Sequence, residues 1–198
     1  MKRALKGIVL AGGRSSRMGT DKAALRHADG RTLARRGYDL LLVAGCEAVL
    51  LSLRADQALP PGFEDLENVG IVRDVEGESH GPMAGMVGGM RTDRDADWLI
   101  VACDLPRLDE ATLRGLVSGI REREKFLAYR SEFDGLPEPL AALYACEALP
   151  LLEQAHVDEM RCPRKILIRN GCRLLEPMVG RALENTNTPE EWETAMKS

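Results

Sequence analysis

Residues 7–22 read Gly7-Ile8-Val9-Leu10-Ala11-Gly12-Gly13-Arg14-Ser15-Ser16-Arg17-Met18-Gly19-Thr20-Asp21-Lys22. A short apolar run bounded by glycine has the form of a buried strand. Here the run gives way at once to a loop with three glycines, two arginines and a lysine. Gly12, Gly13 and Gly19 let the backbone turn sharply and bring its N–H groups close to an anion, where successive amides cradle phosphate oxygens. Arg14, Arg17 and Lys22 supply charge for a polyphosphate. A Walker loop is excluded, because five residues separate Gly13 from Gly19 and Lys22 lies three beyond it. The dinucleotide fingerprint is excluded too, since Gly12 and Gly13 are adjacent. The competing reading is a surface loop whose basic residues are merely solvated; its density of glycine and charge directly after a strand favours the phosphate loop.

Working outward, similar apolar runs recur at 48–52, 69–72 and 98–103, with helical spacing between them. Residues 32–43 place Leu33, Leu40 and Leu41 on one helical face, and Asp109-Glu110 open a helix carrying Leu113, Leu116, Val117 and Ile120. Strands apolar on both faces, alternating with helices, imply a mostly parallel sheet covered on each side: a three-layer α/β/α, Rossmann-like fold. Further on, 139–144 reads as a strand and 149–156 as a helix. Thr188-Pro189-Glu190-Glu191 reads as a capping box, with Thr188 as N-cap and Glu191 reaching back.

The chain has 198 residues, without repeat or linker, which fits one domain over 1–198. Hydrophobic residues make up 44% and charged residues 29%, a globular composition, and the net charge of −4 argues against nucleic-acid binding. No membrane span or secretory leader is expected. Five cysteines, odd in number and without a C-x-x-C pair, read as reduced, mostly buried thiols in a cytoplasmic protein, with no zinc site. His27, His80 and His156 are scattered and no nucleophile elbow is present, so covalent catalysis is not expected.

In parallel α/β sheets, ligands sit beyond the carboxyl ends of the strands. Asp104, just after the run 98–103, is therefore a candidate Mg²⁺ ligand, since that cation takes one or two carboxylates plus substrate phosphates. On its own a turn or helix-capping aspartate is the better reading; beside a phosphate loop the metal is. Asp74 reads equally as a strand-end turn or a ligand contact. Gly81-Pro82-Met83-Ala84-Gly85 forms a turn into a helix running to Met90, with small side chains that leave room for a flat ring. Asn185 and Asn187 serve either the turn before the last helix or a site. Arg161, Arg164 and Lys165 are either a solvated face or an anchor for a phosphate-bearing acceptor.

Taken together these residues resemble the molybdenum cofactor guanylyltransferases. The motif Leu10-Ala11-Gly12-Gly13, Ser15, Arg17-Met18-Gly19, Asp21-Lys22 is similar to the signature of the wider nucleotidyltransferase class. The set Arg73-Asp74, Gly81 to Gly85, Cys103-Asp104-Leu105-Pro106, Pro137 to Leu140 and Asn185 to Pro189 narrows it to that family across nearly the whole chain. The resemblance implies GTP and molybdopterin as substrates, Mg²⁺ as cofactor, and transfer of GMP with release of pyrophosphate. It implies Arg17, Lys22 and Asp104 as catalytic, with Asp104 on the metal. Leu10, Ala11, Gly12, Gly13, Asp74, Gly81, Pro82 and Ala84, together with Lys22 and Asp104, would bind nucleotide. Arg164, Lys165, Asn185 and Asn187 would bind acceptor. Proteins that deliver molybdopterin or receive the cofactor are the partners implied. Guanine rather than cytosine rests on Leu-Ala-Gly-Gly where cytidine-using relatives show Leu-Ala-Ala-Gly. Ser52 stands near a position where relatives often carry Asn, which puts its contact in doubt, and Met83 replaces a usual Leu at similar volume. A sugar-phosphate nucleotidyltransferase and a non-catalytic nucleotide-binding protein are the rival readings.

Overall fold

The computed structural model describes residues 3–13, 21–74, 81–177, 181–186 and 188–196. The elements are β1 (Leu5–Leu10), α1 (Leu33–Val43), β2 (Ala48–Leu53), β3 (Gly70–Arg73), α2 (Pro82–Arg91), β4 (Asp97–Ala102), α3 (Glu110–Gly119), β5 (Phe126–Arg130), β6 (Pro137–Tyr144), α4 (Leu149–Val157), α5 (Pro163–Arg169), β7 (Arg173–Leu175) and α6 (Pro189–Met196). The seven strands form one sheet in the order β3-β2-β1-β4-β6-β5-β7. Only β6 runs against its neighbours, so the sheet is mostly parallel, as the alternating pattern implied.

Strand alternation divides the core. Val9, Leu51, Leu99 and Val101 point to one face, where Tyr38 and Leu41 of α1 and Leu113 and Leu116 of α3 cover them. Ile8, Trp98 and Ile100 point to the other, against Met86 and Met90 of α2, Leu152 of α4 and Leu167 of α5. Each buried side chain of this size contributes about 1.5–3 kcal/mol, so both faces are strongly specified. The buried aromatics keep their polar ends paired: Trp98 Nε1 donates to Asp93 O at 3.2 Å and Tyr144 Oη to Pro139 O at 2.8 Å.

Local signals set the helix starts. Thr32 Oγ1 accepts from Arg35 N, and Asp109 Oδ1 accepts from Thr112 N. The capping box is formed in both directions at 3.2 Å, Thr188 N donating to Glu191 Oε2 and Glu191 N to Thr188 Oγ1. β5 and β7 went unanticipated, and the basic segment after Cys162 is the helix α5. The cysteines are free, but only Cys46 is fully buried; Cys103, Cys146 and Cys172 are half-buried and Cys162 is exposed. That corrects the expectation of mostly buried thiols. No helix among the described residues is long and apolar enough to cross a membrane.

The topology fixes where a ligand fits. From β1 the chain passes through α1 to β2 on one side, whereas β4, on the other side of β1, is reached later through α2. The strand order thus reverses at β1, and the crevice beyond the carboxyl ends of β1 and β4 is where a ligand is expected.

Candidate active site

That crevice is a cleft of about 470 Å³, lined by Leu10, Ala11, Gly12, Gly13, Lys22, Asp74, Gly81, Pro82 and Asp104, among others. Hydrogen bonds level its floor: Ala11 N donates to Ser52 O at 2.9 Å, and Cys103 N donates to Leu10 O at 3.1 Å. The carboxyl ends of three adjacent strands thus stop at the same height.

Lys22 opens a short 3-10 turn, Lys22–Ala24, whose N-cap Asp21 accepts from Ala23 N at 3.0 Å. The turn aims the ammonium across the cleft, and Lys22 Nζ lies 3.0 Å from Asp104 Oδ2. Residues 82 positions apart thus meet in one half-buried ion pair at the switch point. Asp104 in turn positions the last segment of the site, because its carbonyl accepts from Thr186 N at 3.1 Å. This bond brings Asn185 beside Asp104 in an adjoining cavity of about 280 Å³, which Arg164 and Phe133 also line.

Asn185 and Phe133 also line a third cavity of about 640 Å³ that continues from there. Phe133 is 97% exposed, while the turn that carries it is tightly bonded: Leu136 N donates to Asp134 Oδ1 and Gly135 N to Ser131 O. Arg164 does not stand as an unpaired cation, for Asp134 at 2.7 Å and Glu138 at 3.1 Å hold its guanidinium. Lys165 is exposed on α5 and lines none of these three cavities, and Ala84 sits half-buried on α2 outside the cleft lining. Arg14, Arg17, His80 and Asn187 lie outside the described residues.

Sequence reasoning missed Asp21, Arg54, Gln57 and Cys103. Arg54 lines the cleft directly beyond β2, and Gln57, 5% exposed, donates to Ala11 O at 3.0 Å and Asp21 Oδ2 at 2.7 Å. The available signal was position: Arg54 is the first residue past the carboxyl end of a strand next to β1. Cys103 lines the cleft as well. Burial first, and then the carboxylates of Asp104 and Asp21, push its thiol well above the ordinary value, which disfavours the thiolate. The donors that face a ligand here are lysine, arginine and backbone amides, and the acceptors are the hard oxygens of Asp21, Asp74 and Asp104. Such a donor set suits a polyphosphate with a divalent cation such as Mg²⁺ and does not suit zinc.

Comparison with known proteins gives the same picture. Residues 7–174 match the family model described as a MobA-like NTP transferase domain. A molybdenum cofactor biosynthesis bifunctional protein of Synechocystis sp. is 36% identical over 190 residues, 95% of this chain and 52% of that protein. The chain thus spans about half the length of that relative. A molybdenum cofactor guanylyltransferase of Pseudomonas putida is 30% identical over 92% of this chain and 93% of its own. Among solved structures, molybdopterin-guanine dinucleotide biosynthesis protein A from Archaeoglobus fulgidus superposes with a TM-score of 0.73 at 21% identity, covering 97% of both chains.

Proposed function

The chain belongs to the MobA-like NTP transferase family, and on that premise we propose that it transfers GMP from GTP to the terminal phosphate of molybdopterin. The products are molybdopterin guanine dinucleotide and pyrophosphate. The observation that carries this reading is the facing of Lys22 and Asp104, at 3.0 Å, in a cleft that Gly12 and Gly13 also line. The relatives named for guanylyl transfer support it.

In this reaction an oxygen of the acceptor phosphate attacks the α-phosphorus of GTP, a new P–O bond forms, and the bond to the β-phosphate oxygen breaks. The acceptor already carries its nucleophile, so the protein has to align the two phosphates and offset charge. The loop amides together with Lys22 and Arg17 hold the triphosphate, and Lys22 turns from Asp104 to the phosphates as they enter. Mg²⁺ held by Asp104 would neutralise charge on the phosphate oxygens. Leu10, Ala11, Gly12, Gly13, Asp74, Gly81 and Pro82 surround the nucleoside. The cavities beyond Asp104 receive the acceptor, with Arg164 and Asn185 among its contacts. We read 1–198 as one such domain, working in the cytoplasm, where its five free thiols stay reduced.

The test is incubation of the full chain with Mg²⁺, molybdopterin and labelled GTP, CTP or ATP, following pyrophosphate and dinucleotide. GTP should be the preferred donor. Comparable turnover with CTP would overturn the guanine assignment, and no turnover with any triphosphate would overturn the transfer itself.

A further inference from the structure

We infer that Arg54 is the specificity residue for the nucleobase, reading the O6 and N7 acceptor edge of a guanine. The inference rests on the reading above, in which the triphosphate lies at Lys22 and Asp104. These two close the cleft at the β1 and β4 end. Adjacent strands are about 4.8 Å apart, so Arg54 and Asp74, beyond β2 and β3, stand two to three strands from Asp104. A nucleotide whose phosphates sit at one end of this cleft reaches the other with its base, one ribose away.

The Arg54 side chain is fixed there. Nη1 donates to Gly12 O at 3.3 Å and to Gly13 O at 3.1 Å. Its own backbone is held at both its N–H and its carbonyl. Arg54 N donates to Gln57 Oε1 at 3.1 Å, and Arg73 Nη1 donates to the carbonyls of Arg54 at 2.9 Å and Gln57 at 2.7 Å. Nε faces only Asp56 Oδ1 at 3.3 Å, on a side chain 75% exposed. Nη2 has no acceptor among the described residues, although the side chain is only 23% exposed and lines the cleft. A guanidinium spends both Nη1 hydrogens on loop carbonyls and still has Nη2 to offer.

A ligand that brings acceptors to this place satisfies those donors. The guanine edge carrying O6 and N7 offers two acceptors side by side and suits arginine. Adenine presents an N6 amine in place of O6 and sets donor against donor.

The experiment is equilibrium binding of GTP, ATP and 7-deaza-GTP, which lacks the N7 acceptor, to the full chain without molybdopterin. The proteins are wild type, Arg54→Ala and Arg54→Lys; the lysine keeps one cation for the loop carbonyls. Wild type should bind 7-deaza-GTP about tenfold more weakly than GTP, one hydrogen bond to a charged donor. Both variants should bind GTP and 7-deaza-GTP equally, and their preference for GTP over ATP should fall about tenfold. A residue that only held the glycine loop would weaken all three nucleotides by one factor and leave their ratios unchanged. That result, or a wild type indifferent to N7, overturns the inference and leaves the proposed function standing. A wild type without preference for GTP over ATP removes the guanine reading and this inference with it.

Discussion

Replacing Gly85 by alanine puts a Cβ 2.9 Å from Ser52 Cβ and 3.1 Å from Leu10 Cδ2, with Ser52 Oγ closer still. The hydroxyl can rotate away, but the two Cβ atoms cannot, because each is fixed by its backbone. Carbon atoms pack at about 3.5–4.0 Å, so α2 must rise by roughly 0.6 Å or more from the carboxyl end of β2. Overpacking of this kind costs about 1–3 kcal/mol. The gain from Gly to Ala inside a helix returns about 0.5–1 kcal/mol. The midpoints of these ranges leave a net loss of about 1.3 kcal/mol, a fall in Tm of roughly 3–5 °C for a chain of this size. The same movement lifts Gly81 and Pro82, at the start of α2, from the wall of the cleft. GTP affinity should therefore fall together with Tm, measured by calorimetry and by titration. Adding Ser52→Gly removes the atoms in the way and should recover most of the lost Tm. A Gly85→Ala protein as stable as wild type, with unaltered GTP affinity, would refute the close packing of α2 on β2.

Lys22→Ala should preserve the fold and weaken GTP binding about tenfold to a hundredfold, the range of a charge-assisted contact; an unchanged titration would count against the loop assignment. Asp104→Asn should impair transfer far more than metal-free nucleotide binding, and near-normal turnover at limiting Mg²⁺ would make Asp104 a turn residue. Glu153 on α4 holds Arg94 at 2.9 Å and Arg91 at 2.8 Å, and these guanidiniums, Arg94 first, lower its carboxyl from 4.5 to about 2. The stability it contributes is present above pH 4.5 and is lost as pH falls towards 2. Glu153→Gln should cost about 0.5–1 kcal/mol at neutral pH, since both arginines are largely exposed. It should also flatten the acid limb of the stability curve between those pH values; an unchanged limb in denaturant melts would show that the ion pairs add nothing.

By itself the sequence determined the layered α/β fold and the capping box and marked out a candidate phosphate loop, because each is encoded by neighbours in the chain. An unbroken apolar run such as Ile8 to Ala11, a Thr at the N-cap position with Glu three places on, and glycines after a strand act over a few residues. β5 carries only a four-residue apolar run, Phe126 to Tyr129, too short to tell strand from helix, and β7 is three residues long. They exist because β6 turns back against β4 and offers an edge, to which Leu127 and then Leu174 pair in sequence. The site divides along the same line. Lys22 and Asp104 were legible as chemistry, but their meeting across 82 residues follows from strand order, which sets β4 beside β1. Arg54 and Gln57 were not legible, since a polar residue after a strand looks like any turn until the neighbouring loop supplies its partners. Arg164 reads from sequence as a free cation; folding sets Asp134 and Glu138 against it, 30 and 26 residues away, and changes its charge environment. Interactions decided by residues adjacent in the chain are written in it locally, whereas electrostatic partners and close approaches such as Gly85 on Ser52 depend on which surfaces the core brings together.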